Sequence, residues 1–317
     1  MNVGERVVAD LNAALDDLRG EGFRLDSIYP ADDPHTARLS RGEEVVRLTT
    51  RPGEPLPEEF PPFAPEFVLT RAGEQGGQGR AGMLYRDLIP GRLGGRYIAS
   101  LITIPEGGPV ADWVHYHRVA FQLIVVRRGW VRVVYEGQGE PFVMHPGDLV
   151  LQPPTIRHRV LESSAGLEVI EIGCPALHET LADHDLELPT GLDPHRKFGG
   201  QGFVRHVGES APWTEFNGGQ AQVTDIAAAT DGLADARFVR AVGLSPLGFE
   251  PHDGELVFGF VLEGSAQLEF GGPVRLGPAD SFVIPPGEPW ALADPSSDFR
   301  LLHVTTARLE MAAGSPL

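Results

Sequence analysis

Three of the eleven histidines stand at spacings that suit a single task. His115 and His117 flank Tyr116, and His158 follows the Pro153-Pro154 turn further along the chain. In an extended strand residues i and i+2 face the same side, so the imidazoles of His115 and His117 point together while Tyr116 points away. A strand starting after Arg118 to Ala120 can set Gln122 beside them, and an antiparallel neighbour can bring His158 across. Neutral imidazoles suit first-row divalent ions, and three such nitrogens with one amide oxygen leave positions open, as catalytic rather than structural sites do. Iron, manganese, cobalt, nickel and zinc all fit. Because every one of these ligands is neutral, the ion's charge stays uncompensated, which favours a small anionic, chelating substrate: an enolate of a 1,3-diketone, a 2-oxo acid, a hydroxy-ketone or a hydroxy-aromatic acid. A bound ion would act on it as a Lewis acid. An amide cannot take a proton, so another group must do so or the substrate must arrive ionised; Glu162 and His145 are nearest in sequence. No catalytic residue is identified by this reasoning.

The elements that must position these side chains are short strands. From Met83 onward, β-branched and aromatic runs are punctuated by Gly and Pro: Met83 to Ile89, Arg96 to Ile104, Ala120 to Val126, Trp130 to Tyr135, Asp148 to Gln152, Arg157 to Glu162 and Leu167 to Gly173. On this alternation Arg157 and Arg159 face away from His158. After a loop-like stretch the same texture returns in the same order. Gln122 to Gly129 answers Val257 to Gly264 at an offset of 135, and Pro146 to Leu151 answers Pro278 to Val283 at an offset of 132. A duplicated barrel is the economical explanation. Ahead of it, Val7/Val8, Leu11, Leu15 and Leu18 predict an amphipathic helix closed at Gly20; Phe23 to Tyr29 and Glu44 to Thr50 read as strands, and Asp32-Asp33-Pro34 as a helix start. The expected organisation is an α+β extension over 1–50, a Pro/Gly-rich connection over 51–82, a metal-binding barrel over 83–178, a connection over 179–219 and a second barrel over 220–310. His178, His184, His195 and His206 read as solvent or dimer-contact residues, and Cys174 as a buried structural thiol.

These residues resemble both sequence motifs of the cupin superfamily. The first motif, G, a spacer, HxH, three or four residues, E, six residues, G, is met by Gly108, His115, His117, Gln122 in place of Glu, and Gly129. The second, G, five residues, PxG, two residues, H, three residues, N, is met by Gly147, Pro153, Thr155 in place of Gly, His158, and Glu162 in place of Asn. The resemblance implies a mostly β fold: two tandem jelly-roll (cupin) barrels with a small N-terminal α+β extension. It also implies one divalent metal per chain, iron foremost, ligated by His115, His117, Gln122 and His158. In the second repeat His252 matches His117, but Glu250, Val257 and Trp290 replace His115, Gln122 and His158. That barrel is expected to lack a metal and to serve packing, dimer contact or closure; the lesser reading is an apolar pocket around Trp290 and Phe258. In class the chain is similar to the cupin dioxygenases that cleave flavonols, gentisate or 1,3-diketones. Two alternatives stand beside that function: a non-oxidative isomerase or lyase of an oxo acid, like the bicupin of bacilysin synthesis, and a small-molecule-binding cupin without catalysis.

Composition narrows the partners. Lys+Arg number 26 against 44 Asp+Glu, a formal charge of −18 with no basic block, so neither nucleic acid nor an anionic membrane is an expected partner. With 39 Gly, 28 Pro and 42% hydrophobic residues in 317, the chain reads as a folded, turn-rich β protein. The opening residues lack the basic-then-apolar pattern of a signal peptide, and the single Cys174 cannot form an internal disulfide. A cytoplasmic address and a homodimer, which would cover exposed sheet edges, are the expectations.

Overall fold

The computed structural model describes residues 3–309 apart from 55, 58, 59, 74, 75, 80 and 81, so parts of the 51–82 connection and residue 310 of the second barrel lie outside the described residues. Each of the seven runs expected in the first barrel forms a strand. Phe121–Arg128 is central to one sheet, between Leu149–Gln152 and Leu167–Cys174, with Ile98–Ile104 and Leu84–Asp87 beyond. The facing sheet carries His115–His117, His158–Ser163, Val131–Tyr135 and Phe142–Met144. The second barrel repeats this plan: Leu256–Glu263 lies between Ser281–Ile284 and Arg300–Thr306, facing Leu247–Phe249, Trp290–Ala293, Ala266–Glu269 and Pro273–Leu276.

The repeat extends to the backbone of the turns. Gly129 and Gly264 both take positive φ, 77° and 68°. Gly147 (89°) is answered by Ala279 (69°), and Thr155 (67°) by Gly287 (94°). Thr155 thus adopts the left-handed turn that the motif's glycine takes freely, at a cost on the order of 1–2 kcal/mol for a residue with a Cβ.

Alternation gives each central strand two destinations. Phe121, Leu123 and Val125 turn outward and join Ile170 and Ile172, together with Phe258, Phe260, Leu302 and Val304 of the second barrel, in one buried cluster. Gln122 and Ile124 turn into the first barrel. At the barrel junction Arg96 and Glu255, each side chain 8% exposed, form a two-pronged ion pair with both N–O distances 2.9 Å; Tyr97 Oη also donates to that carboxylate at 2.8 Å.

The N-terminal unit departs from expectation in three ways. Val3–Val7 is a strand parallel to Glu44–Thr49, which leaves Val7 exposed rather than on the helix. The helix is Leu11–Gly20, capped by the Asp10 side chain on Ala13 N at 3.1 Å, and Gly22 rather than Gly20 takes the left-handed turn. Asp32-Asp33-Pro34 starts no helix: Arg24–Tyr29 pairs with Thr36–Arg41, and that pairing overrides the local capping signal. Nor are the connections simple linkers. Val68–Thr70 pairs with Ser281–Ile284 of the second barrel, and Val204–His206 with Leu149–Gln152 of the first. Thr180–Ala182 lies between Arg24–Tyr29 and His115–His117, so one continuous sheet runs from the extension into the histidine strand. Among the described residues no helix is long and apolar enough to cross a membrane.

Candidate metal centre

His115 stands directly opposite His158 in the antiparallel register, and His117 follows on the same face. The three rings lie 4.2, 5.3 and 5.4 Å apart, centre to centre, all buried, with one ligating atom from each within 4.8 Å of the others. The backbone fixes how they present themselves. Nδ1 of His115 is 2.8 Å from Trp113 O, Nδ1 of His117 is 3.1 Å from Glu179 O, and Nδ1 of His158 is 3.0 Å from Ile156 O. A carbonyl only accepts, so each Nδ1 carries a proton, and in the neutral ring the lone pair then lies on Nε2, a tautomer in which an imidazole ligates a metal. His115 Nδ1 also lies 3.4 Å from Asp112 Oδ1, and Asp112 Oδ2 accepts from Val160 N at 2.9 Å.

Gln122, 2% exposed, lines the same cavity. Its Nε2 donates to Glu171 Oε1, and its Oε1 is buried without a hydrogen-bond partner. An unsatisfied buried carbonyl costs about 1–3 kcal/mol, which a cation beside it would offset. Three imidazole nitrogens presented as acceptors and one orphaned amide oxygen make a donor set that fits a first-row divalent ion.

Glu171 is the residue that sequence reasoning missed. Leu167, Val169 and Glu171 alternate inward on Leu167–Cys174, so the signal was an acid sharing a face with apolar residues in an otherwise buried strand. Glu162 and His145, the nearest acid and base in sequence, do not line the cavity, and His145 is exposed. Placing a carboxylate beside Gln122 also corrects the expectation that nothing near the ion would compensate its charge. Tyr135 stacks on His158 at 5.5 Å and its hydroxyl accepts from Gln152 Nε2 at 2.8 Å; burial pushes the phenol well above its ordinary value. The remaining wall is apolar, including Met83, Ile102, Ile124, Val133 and Met144, and encloses about 90 Å³. No Lys or Arg appears among the described lining residues.

Tyr116 points outward beneath the Arg157 guanidinium, 4.1 Å from its ring, and Arg157 pairs with Asp183 at 2.9 Å. Arg118 and Arg159 are exposed. Of the histidines expected at the solvent, His184 and His195 are exposed, but two are buried because the segments carrying them are woven into the barrels. His178 packs edge-on against His117 at 5.2 Å, and His206 stacks on Phe238 at 5.4 Å; burial holds both below the ordinary imidazole value.

The second barrel is filled. Trp290, at the position of His158, stacks on Phe249 at 3.8 Å and 3°, and the Phe282 ring lies so close to Gly259 that a Cβ there would approach it to 2.2 Å. Glu250 is exposed, and His252 Nε2 contacts Ile284 O at 3.0 Å. Phe258 belongs to the cluster between barrels and Trp290 to the second barrel's own core, so an apolar pocket shared by the two does not form.

A model of the Cupin domain matches residues 100–173 and 242–305. None of the curated proteins matches the chain. Among solved structures, protein Ylba from E. coli is similar with a TM-score of 0.58 at 12% identity, covering 78% of this chain and 93% of that one. The oxalate decarboxylase of Lactobacillus farciminis, in a formate complex, has a TM-score of 0.54 at 13% identity over 81% of this chain and 88% of that one. For oxalate decarboxylase from Bacillus subtilis the values are 0.52 and 12%, over 80% and 77%. At such identities the likeness is one of fold.

Proposed function

We propose that this chain, which belongs to the cupin superfamily and carries two tandem cupin barrels, is a metal-dependent dioxygenase acting on a small chelating anion. The observation that carries the reading is the convergence of three buried, tautomerically fixed imidazoles with the orphaned Gln122 oxygen at one cavity. His115, His117, His158 and Gln122 would hold one divalent ion, iron foremost. When bound, that ion supplies Lewis-acid polarisation of a chelated substrate and, as iron, the redox partner an oxygenation needs. The chain's own residues do the rest. The apolar wall excludes water and receives the body of the substrate, Tyr135 packs His158 in place, and Glu171, the one carboxylate among the described lining residues, is positioned to accept a proton released as the substrate binds.

Size and charge narrow the substrate. A dry engineered cavity of about 150 Å³ takes one benzene, so about 90 Å³ favours a compact 1,3-diketone or 2-oxo acid over a flavonol. With no Lys or Arg in the described lining, a single anionic chelating head with an apolar body suits it better than a dianion, whose second charge would lack a partner. Non-oxidative decarboxylation or isomerisation is the second reading, supported by the fold shared with oxalate decarboxylases. A cytoplasmic homodimer completes the proposal.

The test is metal analysis of protein purified without added metal, wild type beside His117→Ala, with oxygen uptake followed on diketones and 2-oxo acids. Iron near one per chain, lost in the variant, together with oxygen uptake is the expected result. Another metal with turnover but no oxygen uptake moves the assignment to the second reading, and no metal in either protein overturns both.

A further inference from the structure

Gln122 lies opposite Gly173 in the sheet and Glu171 opposite Ile124, so the two side chains are diagonal neighbours on the face turned to the cavity. An amide has two ends of nearly the same shape, and only the oxygen end can ligate a cation. Which end faces inward is therefore decided by whatever holds the other. A carboxylate oxygen accepts and does not donate, so the contact between Gln122 Nε2 and Glu171 Oε1 commits the amide nitrogen to the strand neighbour and leaves Oε1 buried without a protein partner.

We propose that Glu171 is a positioning residue that turns Gln122 into an oxygen ligand, and that Gln122 and Glu171 form one interdependent pair. The inference rests on the metal-centre reading above and adds what sets the fourth ligand. It also accounts for the departure from the motif. A Glu at 122 would meet Glu171 carboxyl against carboxyl, a contact that holds only while one of the two carries a proton, whereas the amide donates without one. The motif's carboxylate and an ionised Glu171 therefore oppose one another. Exchanging the two residues, by contrast, restores one donor and one acceptor and presents a carboxylate oxygen inward. The second barrel agrees with the coupling: at the equivalent positions Val257 has lost its amide and His303 is no carboxylate.

Cobalt(II) alone is the probe, titrated into chelator-stripped protein with a competing chelator and followed by its visible absorption. Four full-length chains are compared: wild type, Glu171→Leu, which removes the acceptor, Gln122→Glu, and the exchanged double variant Q122E/E171Q. Wild type is expected to take one ion. Each single variant should bind roughly 10–100-fold more weakly, the usual loss when the partner of a ligand is removed, with an altered cobalt spectrum. The double variant should regain most of that affinity, an outcome that a merely structural role for Glu171 does not produce. Circular dichroism of the stripped proteins checks folding; if one single variant fails to fold, the other measured against the double still decides. Wild-type affinity and spectrum in Glu171→Leu, or a double variant no tighter than Gln122→Glu, overturns the pairing. A wild type that binds no cobalt overturns the metal centre itself.

Discussion

The second barrel contains a histidine whose protonation should be readable in the stability of the whole chain. His303 sits opposite Gly259, 8% exposed, with the rings of Phe249 and Trp290 at 5.2 and 5.9 Å. Burial in that hydrocarbon, helped by the positive charge of Arg237 and by His252, lowers its pKa from 6.5 to about 3. Unfolding returns the imidazole to water and to its ordinary value. Below about pH 6.5 the unfolded chain therefore binds a proton that the folded chain refuses, so stability present above that pH is lost progressively as the pH falls toward 3. At about 1.4 kcal/mol per pH unit, acidification from pH 7 to pH 5 costs about 2 kcal/mol through this one side chain. Urea unfolding of wild type and His303→Leu at both pH values isolates it, because the carboxylates and the other histidines titrate in both proteins and cancel in the comparison. The variant's loss between pH 7 and pH 5 should be smaller by about 2 kcal/mol. Equal losses in the two proteins would show that His303 is protonated or solvated in the folded state, and would refute the account of a dry second barrel.

Two further outcomes follow from the frame. Arg96→Met strands the Glu255 carboxylate at the junction of the barrels and should cost about 3–5 kcal/mol, with the double variant R96M/E255M recovering part of it, as measured by chemical denaturation; a single-variant cost below about 1 kcal/mol would mean the pair is hydrated. Thr155→Gly releases the left-handed strain at the turn before His158, and after the extra freedom of glycine in the unfolded chain the net gain should be about 1 kcal/mol, an upward shift of about 2 °C in calorimetry. A lower melting temperature would mean that Thr155 contributes contacts worth more than its strain.

What was legible in the sequence is what depends on near neighbours. The i and i+2 placement of His115 and His117, the inward turn of His158 after Pro153-Pro154, and the seven strand runs follow from the pleat and from turn chemistry, both local. The repeat was legible because the offsets of 135 and 132 register one barrel on the other without any knowledge of pairing. What was hidden depends on partners far along the chain. Glu171 reaches Gln122 only through the stagger of two antiparallel strands 49 positions apart. The segment around Thr180 looked like a linker because nothing in its composition tells that Arg24–Tyr29 and His115–His117 would leave a gap one strand wide. Asp32 and Asp33 carried a sound helix-start signal, yet the pairing of the flanking strands outweighed a cap worth about 1 kcal/mol.

The two barrels share a frame and differ inside, and the reason they can differ lies in the two faces of the same strands. Stability of the frame is concentrated on the outward faces, where Phe121, Leu123 and Val125 meet Phe258 and Phe260 across the junction. The inward faces are left to vary. Gln122, Gln152, His158 and Glu171 in the first barrel stand where Val257, Ile284, Trp290 and His303 stand in the second. Polar side chains cannot collapse onto one another without leaving donors or acceptors unmet, so the first interior keeps a cavity with an amide oxygen unpaired, whereas the hydrocarbon of the second closes over Phe249, Phe282 and Trp290. His303 is the exception that marks the difference: one titratable group packed among apolar rings, whose burial there disfavours its protonated form.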